Sequence, residues 1–212
     1  MALRAQLAVS LDGFAAGPDQ SVDDPMGVGG MALHQWVLRL KSWREPHGLD
    51  GGESGPSDAV VARSVENVGA TIMGRNMFGG GPGPWGDEPW TGWWGDDPPF
   101  HHPVFVLTHH PREPLVLGDT TFTFVTEGID AALEQARAAA GDRDVVIGGG
   151  AQTIRQYLHA GLLDELLVNL VPVLLGAGTR LFDDAADAAV RLDLVEAIPA
   201  PGVTHLRHRV LR

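Results

Sequence analysis

Residues Asp144 to Thr153 read D-V-V-I-G-G-G-A-Q-T, an apolar strand running straight into a helix through three consecutive glycines. It is one step of a strand–helix alternation that runs along the chain, and such alternation gives an α/β sandwich. The helix that follows puts Ile154, Tyr157 and Leu158 on one face and stops at Gly161, where a left-handed residue ends a helix. Three glycines at a helix start leave bare backbone N–H groups at the positive end of the helix dipole, a place to hold a phosphate. A Cβ there would block close approach and penalise the positive φ such turns use. The run is not the G-x-G-x-x-G fingerprint, because the third position falls on Thr153, and the Gly-Lys-Ser/Thr of a P-loop is also absent. Taken alone, the glycines also read as a plain turn.

Upstream, residues 3–11 form an apolar strand broken by Asp12-Gly13, and the Gly-, Pro- and Asp-rich stretch 15–30 reads as a loop. From Met31 to Trp43, Leu33, Trp36, Val37 and Leu40 fall at i, i+3, i+4 and i+7, the spacing of an amphipathic helix. A short helix is expected over 59–68, then strands at 70–73, 104–108 and 121–125. The helix 129–140 places Ile129, Ala132, Leu133 and Ala136 on one face. Downstream come an apolar strand from Leu166 to Val173 and two antiparallel strands, 190–196 and 203–211, around Pro199-Ala200-Pro201-Gly202. The antiparallel tail makes the sheet mixed. No linker clearly divides the 212 residues, so one domain spanning 1–212 is expected.

The net charge of −12 argues against nucleic acid, whose binders need a basic face. A small anion is still admissible, since a few local donors hold one against an unfavourable overall field. No cysteine is present, which removes thiolate catalysis and thiolate metal sites and fits a reducing cytoplasm. Met1–Gln6 reads into a strand instead of a signal peptide, and no uncharged apolar run approaches the ~18 residues of a membrane span. A cytoplasmic protein is expected. His101-His102 and His109-His110 flank one strand, but at ~3.3 Å per residue the pairs lie roughly 25 Å apart and share no metal.

Two more strand exits resemble the glycine run. Gly74-Arg75-Asn76 sets a cation directly after a glycine, and Thr108-His109-His110 sets a hydroxyl beside two ring donors. In open α/β sheets ligands gather at strand carboxyl ends, so three such exits inform more than any one. Between Gly79 and Pro103, 13 of 25 residues are Gly or Pro, which excludes regular structure. Trp85, Trp90, Trp93 and Trp94 sit there, and a loop this long reads equally as a lid over a flat ligand or as an oligomer contact. Asp12, at the end of the first strand, reads as a turn aspartate or as a proton-relay and substrate carboxylate.

Taken in order, A-V-S-L-D-G-F, A-T-I-M-G-R-N-M-F, V-F-V-L-T-H-H-P, V-V-I-G-G-G-A-Q-T and the run Gly161–Phe182 resemble the dihydrofolate reductase superfamily. The likeness is strongest to its RibD C-terminal (riboflavin-biosynthesis reductase) branch, and it covers nearly the whole chain. L-D-E-L followed by P-V-L-L-G-x-G is its most specific part. The resemblance implies a three-layer α/β/α sandwich with a mixed, mostly parallel sheet and antiparallel C-terminal strands, the stretch at about 79–103 being an insertion. It also implies a stand-alone reductase domain using NADPH and a homodimer, with no metal.

Residue by residue, the resemblance sets Gly74, Arg75 and Asn76 near the cofactor phosphates, and Thr108 and His109 at the adenosine 2′-phosphate. It sets Gly148, Gly149, Gly150 and Gln152 around the pyrophosphate, and Val9 against the nicotinamide. Asp12 is the candidate proton relay, and Trp36 and Asn169 join it as substrate contacts. The implied reaction is hydride transfer to a heterocyclic or phosphoribosyl-aminopyrimidine substrate, as in 5-amino-6-(5-phosphoribosylamino)uracil reduction. Folate reduction is the alternative, weakened because Leu33 stands where those enzymes carry a carboxylate. A non-catalytic NADP-binding module is the third reading.

Overall fold

The computed structural model describes residues 1–87, 90–182 and 189–211. Its chain forms two compact units, one made of Met1–Ala5 with Asn67–Leu163, the other of Gln6–Glu66 with Asp164–Arg212. Strand β1 (Leu3–Ser10) gives its first three residues to the first unit and the rest to the second.

In the first unit, β3 (Val68–Gly74), β4 (Val104–Leu107), β6 (Thr120–Val125) and β7 (Asp144–Gly149) are parallel, in the order β7-β3-β4-β6. The start of β1 pairs parallel with β7, and β5 (Leu115–Leu117) closes the far edge antiparallel to β6. These are the strands the apolar runs predicted, apart from β5, a three-residue strand too short to show an alternation. Parallel strands carry continuous apolar sequence because both faces are covered. Accordingly Ile72, Met73, Val104, Val106 and Ile147 are fully buried. Helix α4 (Ile129–Ala140) has the expected bounds and buries Ala132, Leu133 and Ala136. Helix α5 (Ala151–His159) buries Ile154, Tyr157 and Leu158, each contributing ~1.5–3 kcal/mol by leaving water. The Tyr157 hydroxyl donates to the Ile129 carbonyl at 2.8 Å and ties the two helices together.

The pairs Met73↔Gly149, Gly74↔Leu107 and Leu107↔Val125 bring the carboxyl ends of four neighbouring strands level. All three strand exits singled out from the sequence therefore open along one edge of one unit.

In the second unit, β11 (Val203–Leu211) lies antiparallel between β8 (Glu165–Val171) and β10 (Arg191–Ala200), and the rest of β1 borders β8. A small pair, β2 (Phe14–Ala16) with β9 (Thr179–Arg180), stands apart. Strand β10 runs through Pro199, which sequence reading gave to the turn. It lies at the sheet edge, where a missing N–H breaks no ladder. Taken together, the ladders make an α/β fold with a mixed, mostly parallel sheet and antiparallel C-terminal strands.

One helix is corrected. Instead of a continuous helix over 31–43, the chain makes a 3-10 turn at Gly30–Leu33, successive turns to residue 39, and a single helical turn, α1 (Lys41–Arg44), with a 3-10 turn at Glu45–His47 after it. The bonds His34 N–H to Met31 and Leu40 N–H to Val37 are i→i−3, and Leu40 bridges to Glu53. The apolar spacing still describes burial, since Leu33, Trp36 and Leu40 sit in one core cluster with Ala8, Val171 and Val203. Helix α2 (Pro56–Val65) starts three residues earlier than expected, with proline in its first turn, where no N–H partner is needed.

Candidate functional site

At the exit of β7 each glycine has a different physical cause. Gly149 adopts φ +132°, open to glycine and strained for other residues. A Cβ on Gly148 would crowd the Thr71 methyl at 3.3 Å. Gly150 caps α5 with φ −85° and ψ −170°, extended backbone that any residue adopts, and a Cβ built on it meets no atom beyond its chain neighbours within 4 Å. Neither its φ and ψ nor the packing around its Cβ position requires that glycine. The Gly149–Gly150 peptide is cis.

At the exit of β3, a Cβ on Gly74 would run into the Thr153 hydroxyl on the first turn of α5, so glycine sets the close approach of strand and helix. Arg75 opens the four-residue helix α3 (Arg75–Phe78). Its Nε donates to the Gly79 carbonyl at 3.0 Å and one Nη to the Gly80 and Gly81 carbonyls at 3.2 and 3.0 Å. The guanidinium also lies 3.1 Å from the centre of the Trp85 ring. Its other Nη is buried without a partner, an uncommitted donor beside the exit. Asn76 and Gln152 are exposed.

At the exit of β4, Thr108 is buried and its hydroxyl accepts from the His110 N–H at 3.2 Å, while His109 projects into solvent. The Trp85 indole donates to the His110 carbonyl at 3.0 Å. Arg112, which sequence reading missed, lies 4.8 Å from the Trp85 ring centre and 4.9 Å from that of Phe124. Burial, and for Arg75 the charge of Arg112, lower the pKa of both guanidiniums, yet both remain cations. Two arginines on one indole, with no acidic partner among the described residues, form a cationic end to the row of exits. No spacing rule in sequence marks Arg112, because Trp85 is what brings it there.

The Trp-rich stretch packs onto an aromatic core cluster of the first unit. Phe78, Phe122 and Phe124 form a cluster against which Trp85, Trp90 and Trp94 pack. The Trp90 and Trp93 indoles donate to the Phe78 and Met77 carbonyls at 2.8 and 3.0 Å. Apart from residues 88 and 89, which lie outside the described residues, the stretch has no helix or strand, as its Gly and Pro content requires.

The other sequence-predicted residues belong to the second unit. Val9 is buried in β1. Asp12 accepts hydrogen bonds from the Ser10 hydroxyl at 2.6 Å, Leu175 N–H at 3.1 Å and Gly176 N–H at 2.7 Å. The Ser10 bond, with the two amides, lowers its pKa to about 2. It is a carboxylate at neutral pH that anchors the 175–176 loop. Trp36 and Asn169 converge on His205, another residue that sequence reading missed. The Trp36 ring meets His205 edge-on at 5.1 Å, and its indole N–H is buried without a partner. His205 Nδ1 lies 2.7 Å from Asn169 Oδ1, and Nε2 lies 2.9 Å from the Ser57 hydroxyl. Burial, then the charge of Arg63, lowers the His205 pKa and keeps the ring neutral. Leu33 is fully buried. Among the described residues no cluster of three or more His, Cys, Asp or Glu is arranged to hold a metal, and no helix is long and apolar enough to cross a membrane.

Parallel strands with level exits, two of them at glycines, and an antiparallel C-terminal hairpin define a dihydrofolate reductase-like α/β fold. The fold of Enterococcus faecalis dihydrofolate reductase, solved with NADP(H), matches all of this chain and 97% of its own with a TM-score of 0.53 at 14% identity. A protein of Shewanella sp. PV-4 named for riboflavin biosynthesis matches over the whole of both chains, with a TM-score of 0.61 at 22% identity. Within that fold the chain belongs to the RibD C-terminal domain family, whose model matches residues 2–205. It is 30% identical over 186 residues to the uncharacterized protein YwjB of Bacillus subtilis strain 168, spanning 84% of this chain and 80% of YwjB.

Proposed function

We propose that this chain is an NADPH-dependent reductase that delivers hydride to a small heterocyclic or phosphoribosyl-aminopyrimidine substrate, in the manner of 5-amino-6-(5-phosphoribosylamino)uracil reduction. The observation that carries the reading is Gly150, a helix-capping glycine with open space where its side chain would stand. Glycine at such a point serves a ligand that approaches the backbone, and at the start of a nine-residue helix that ligand is anionic.

The residues present fit the nucleotide. The α5 amides and Gly148–Gly150 would take the pyrophosphate, with the uncommitted Nη of Arg75 as a further donor. Thr108, His109 and Arg112 would take the 2′-phosphate, which separates NADPH from NADH. NADPH, when bound, supplies the hydride itself. On the substrate side Trp36 and Asn169 would orient the acceptor, and Asp12 would hold the 175–176 loop at the end of β1. Leu33 in the core supports a substrate other than dihydrofolate, since no carboxylate stands there to meet a pteridine.

Titration with NADPH and NADH, followed by nucleotide oxidation with a phosphoribosyl-aminopyrimidine and with dihydrofolate, tests the proposal. Tighter binding of NADPH and turnover of the pyrimidine are expected. Equal affinity for the two nucleotides would remove the 2′-phosphate assignment, and turnover of dihydrofolate alone would replace the substrate.

A further inference from the structure

The second unit holds a nucleophile, a base and an orienting acceptor in one hydrogen-bonded line. Ser57 lies in the first turn of the ten-residue helix α2, and its hydroxyl stands 2.9 Å from His205 Nε2. His205, on β11, faces Asn169 of β8 across the antiparallel register, and its Nδ1 stands 2.7 Å from Asn169 Oδ1. The carbonyl oxygen of Asn169 only accepts, so Nδ1 carries the ring proton and donates it. In a neutral ring Nε2 is then the acceptor, and the Ser57 hydroxyl donates to it. This fixed tautomer is what lets an imidazole remove the hydroxyl proton.

Two further features suit attack by Ser57. Pro56 has no N–H, so the amides of Ser57 and Asp58 are the first of α2 and have no acceptor within the helix. Donors in that position can receive charge developing on an oxygen beside Ser57. Gly55, immediately before the helix, has φ +157° and no atom beyond its chain neighbours within 4 Å of its Cβ position. Ser57 retains 7% of its surface and His205 1%, and the bond between them is buried.

We infer that Ser57, His205 and Asn169 form a second reactive site, independent of the nucleotide, that accepts an acyl group from a small activated ester. Ser57 Oγ bonds to the ester carbonyl carbon as its proton passes to His205 Nε2. The bond from that carbon to the leaving oxygen breaks, and the leaving group departs with the proton from Nε2 or as a stable anion. His205, neutral again once that proton has left with the leaving group or to solvent, deprotonates a water whose oxygen bonds to the acyl carbon; the carbon–Oγ bond breaks, Oγ takes the proton back from Nε2, and the carboxylic acid departs. Asn169 acts through His205 and is a positioning residue.

The experiment uses the full chain with p-nitrophenyl acetate and a fluorophosphonate, read by p-nitrophenolate release and by intact mass with peptide mapping. A single adduct on Ser57 is expected. It should be absent in Ser57→Ala and form about a hundredfold or more slowly in His205→Gln, the size of a general-base contribution. Asn169→Ala should slow it, and Asn169→Asp, which keeps an acceptor opposite Nδ1, should restore it. Thermal melting of every variant separates loss of the adduct from loss of the fold. Mapping in the wild-type protein needs no variant at all. No adduct on folded wild-type chain, an adduct at another residue, or Ser57 labelling unchanged in His205→Gln would each overturn the inference. None of these readouts involves NADPH, so failure here leaves the reductase reading untouched, and the reverse holds.

Discussion

Replacing Gly150 by alanine separates a ligand-serving glycine from a structural one. The φ and ψ there, −85° and −170°, are open to alanine, and the added methyl meets no atom beyond its chain neighbours within 4 Å. Alanine lowers the entropy of the unfolded chain, worth ~0.4–1 kcal/mol in favour of folding. It also gives up the preference for glycine over alanine at a helix cap, a loss of about 1 kcal/mol or less. The two nearly cancel, so the melting temperature should move by only a few degrees. A pyrophosphate drawn against the α5 amides would meet the methyl directly. Losing one charge-assisted hydrogen bond costs ~1.5–3 kcal/mol, which is roughly a ten- to hundredfold rise in Kd for NADPH. Calorimetric titration gives the Kd and thermal melting the stability. Gly149→Ala is the contrast, because φ +132° strains an alanine by ~1–3 kcal/mol and should lower stability with or without ligand. A Gly150→Ala protein that melts like wild type and binds NADPH as tightly would refute the reasoning.

The other predictions concern charge. Arg112→Ala should weaken NADPH by about tenfold while leaving NADH affinity unchanged, because only NADPH has the 2′-phosphate; titration of both nucleotides checks this. Asp12→Asn should melt lower than wild type at neutral pH. The wild-type carboxyl is depressed to about 2 from the usual 3.8, so its contribution is whole above pH ~4 and lost as pH falls towards 2, and the two melting curves should converge across that window. His102, whose Nε2 pairs with the Thr71 hydroxyl at 2.8 Å, has its pKa lowered to about 4, by burial first and by Arg143 and His101 after it. The unfolded chain then binds more protons than the folded one between pH 6.5 and 4, so stability falls with pH there. The loss is roughly 1–2 kcal/mol once solvent screening of the partly exposed ring is allowed for, and His102→Gln should remove that slope in denaturant titrations.

The first unit was legible in sequence because its signals are local. Four buried parallel strands are continuous apolar runs, and α4 and α5 carry a clean helical face bounded by glycines. The stretch 31–43 was not, because burial spacing and hydrogen-bond pattern are separate quantities. Leu33, Trp36 and Leu40 reach one core from a succession of turns as well as from a helix. The site divides the same way. Glycines at strand exits are visible in sequence, since their meaning lies in the next residue. Ser57, His205 and Arg112 are not, because each acquires its role from a partner far along the chain, His205 through Asn169 in the β8–β11 register and Arg112 through Trp85.

The Trp-rich stretch matters to the exits through the arginines it holds. Arg75 follows the glycine that ends β3, and a free arginine there would sample many rotamers. Its three bonds to the Gly79, Gly80 and Gly81 carbonyls and its stacking on Trp85 leave it one orientation. Trp85 is fixed in turn by its indole bond to His110 and by edge contacts with Phe78 and Phe124. The same ring carries Arg112. A guanidinium already ordered loses little entropy when it meets an anion, whereas a mobile one gives up as much as ~2 kcal/mol. The tryptophans thus act on the row of strand exits through the two arginines they hold, and the aromatic cluster under them keeps that arrangement rigid.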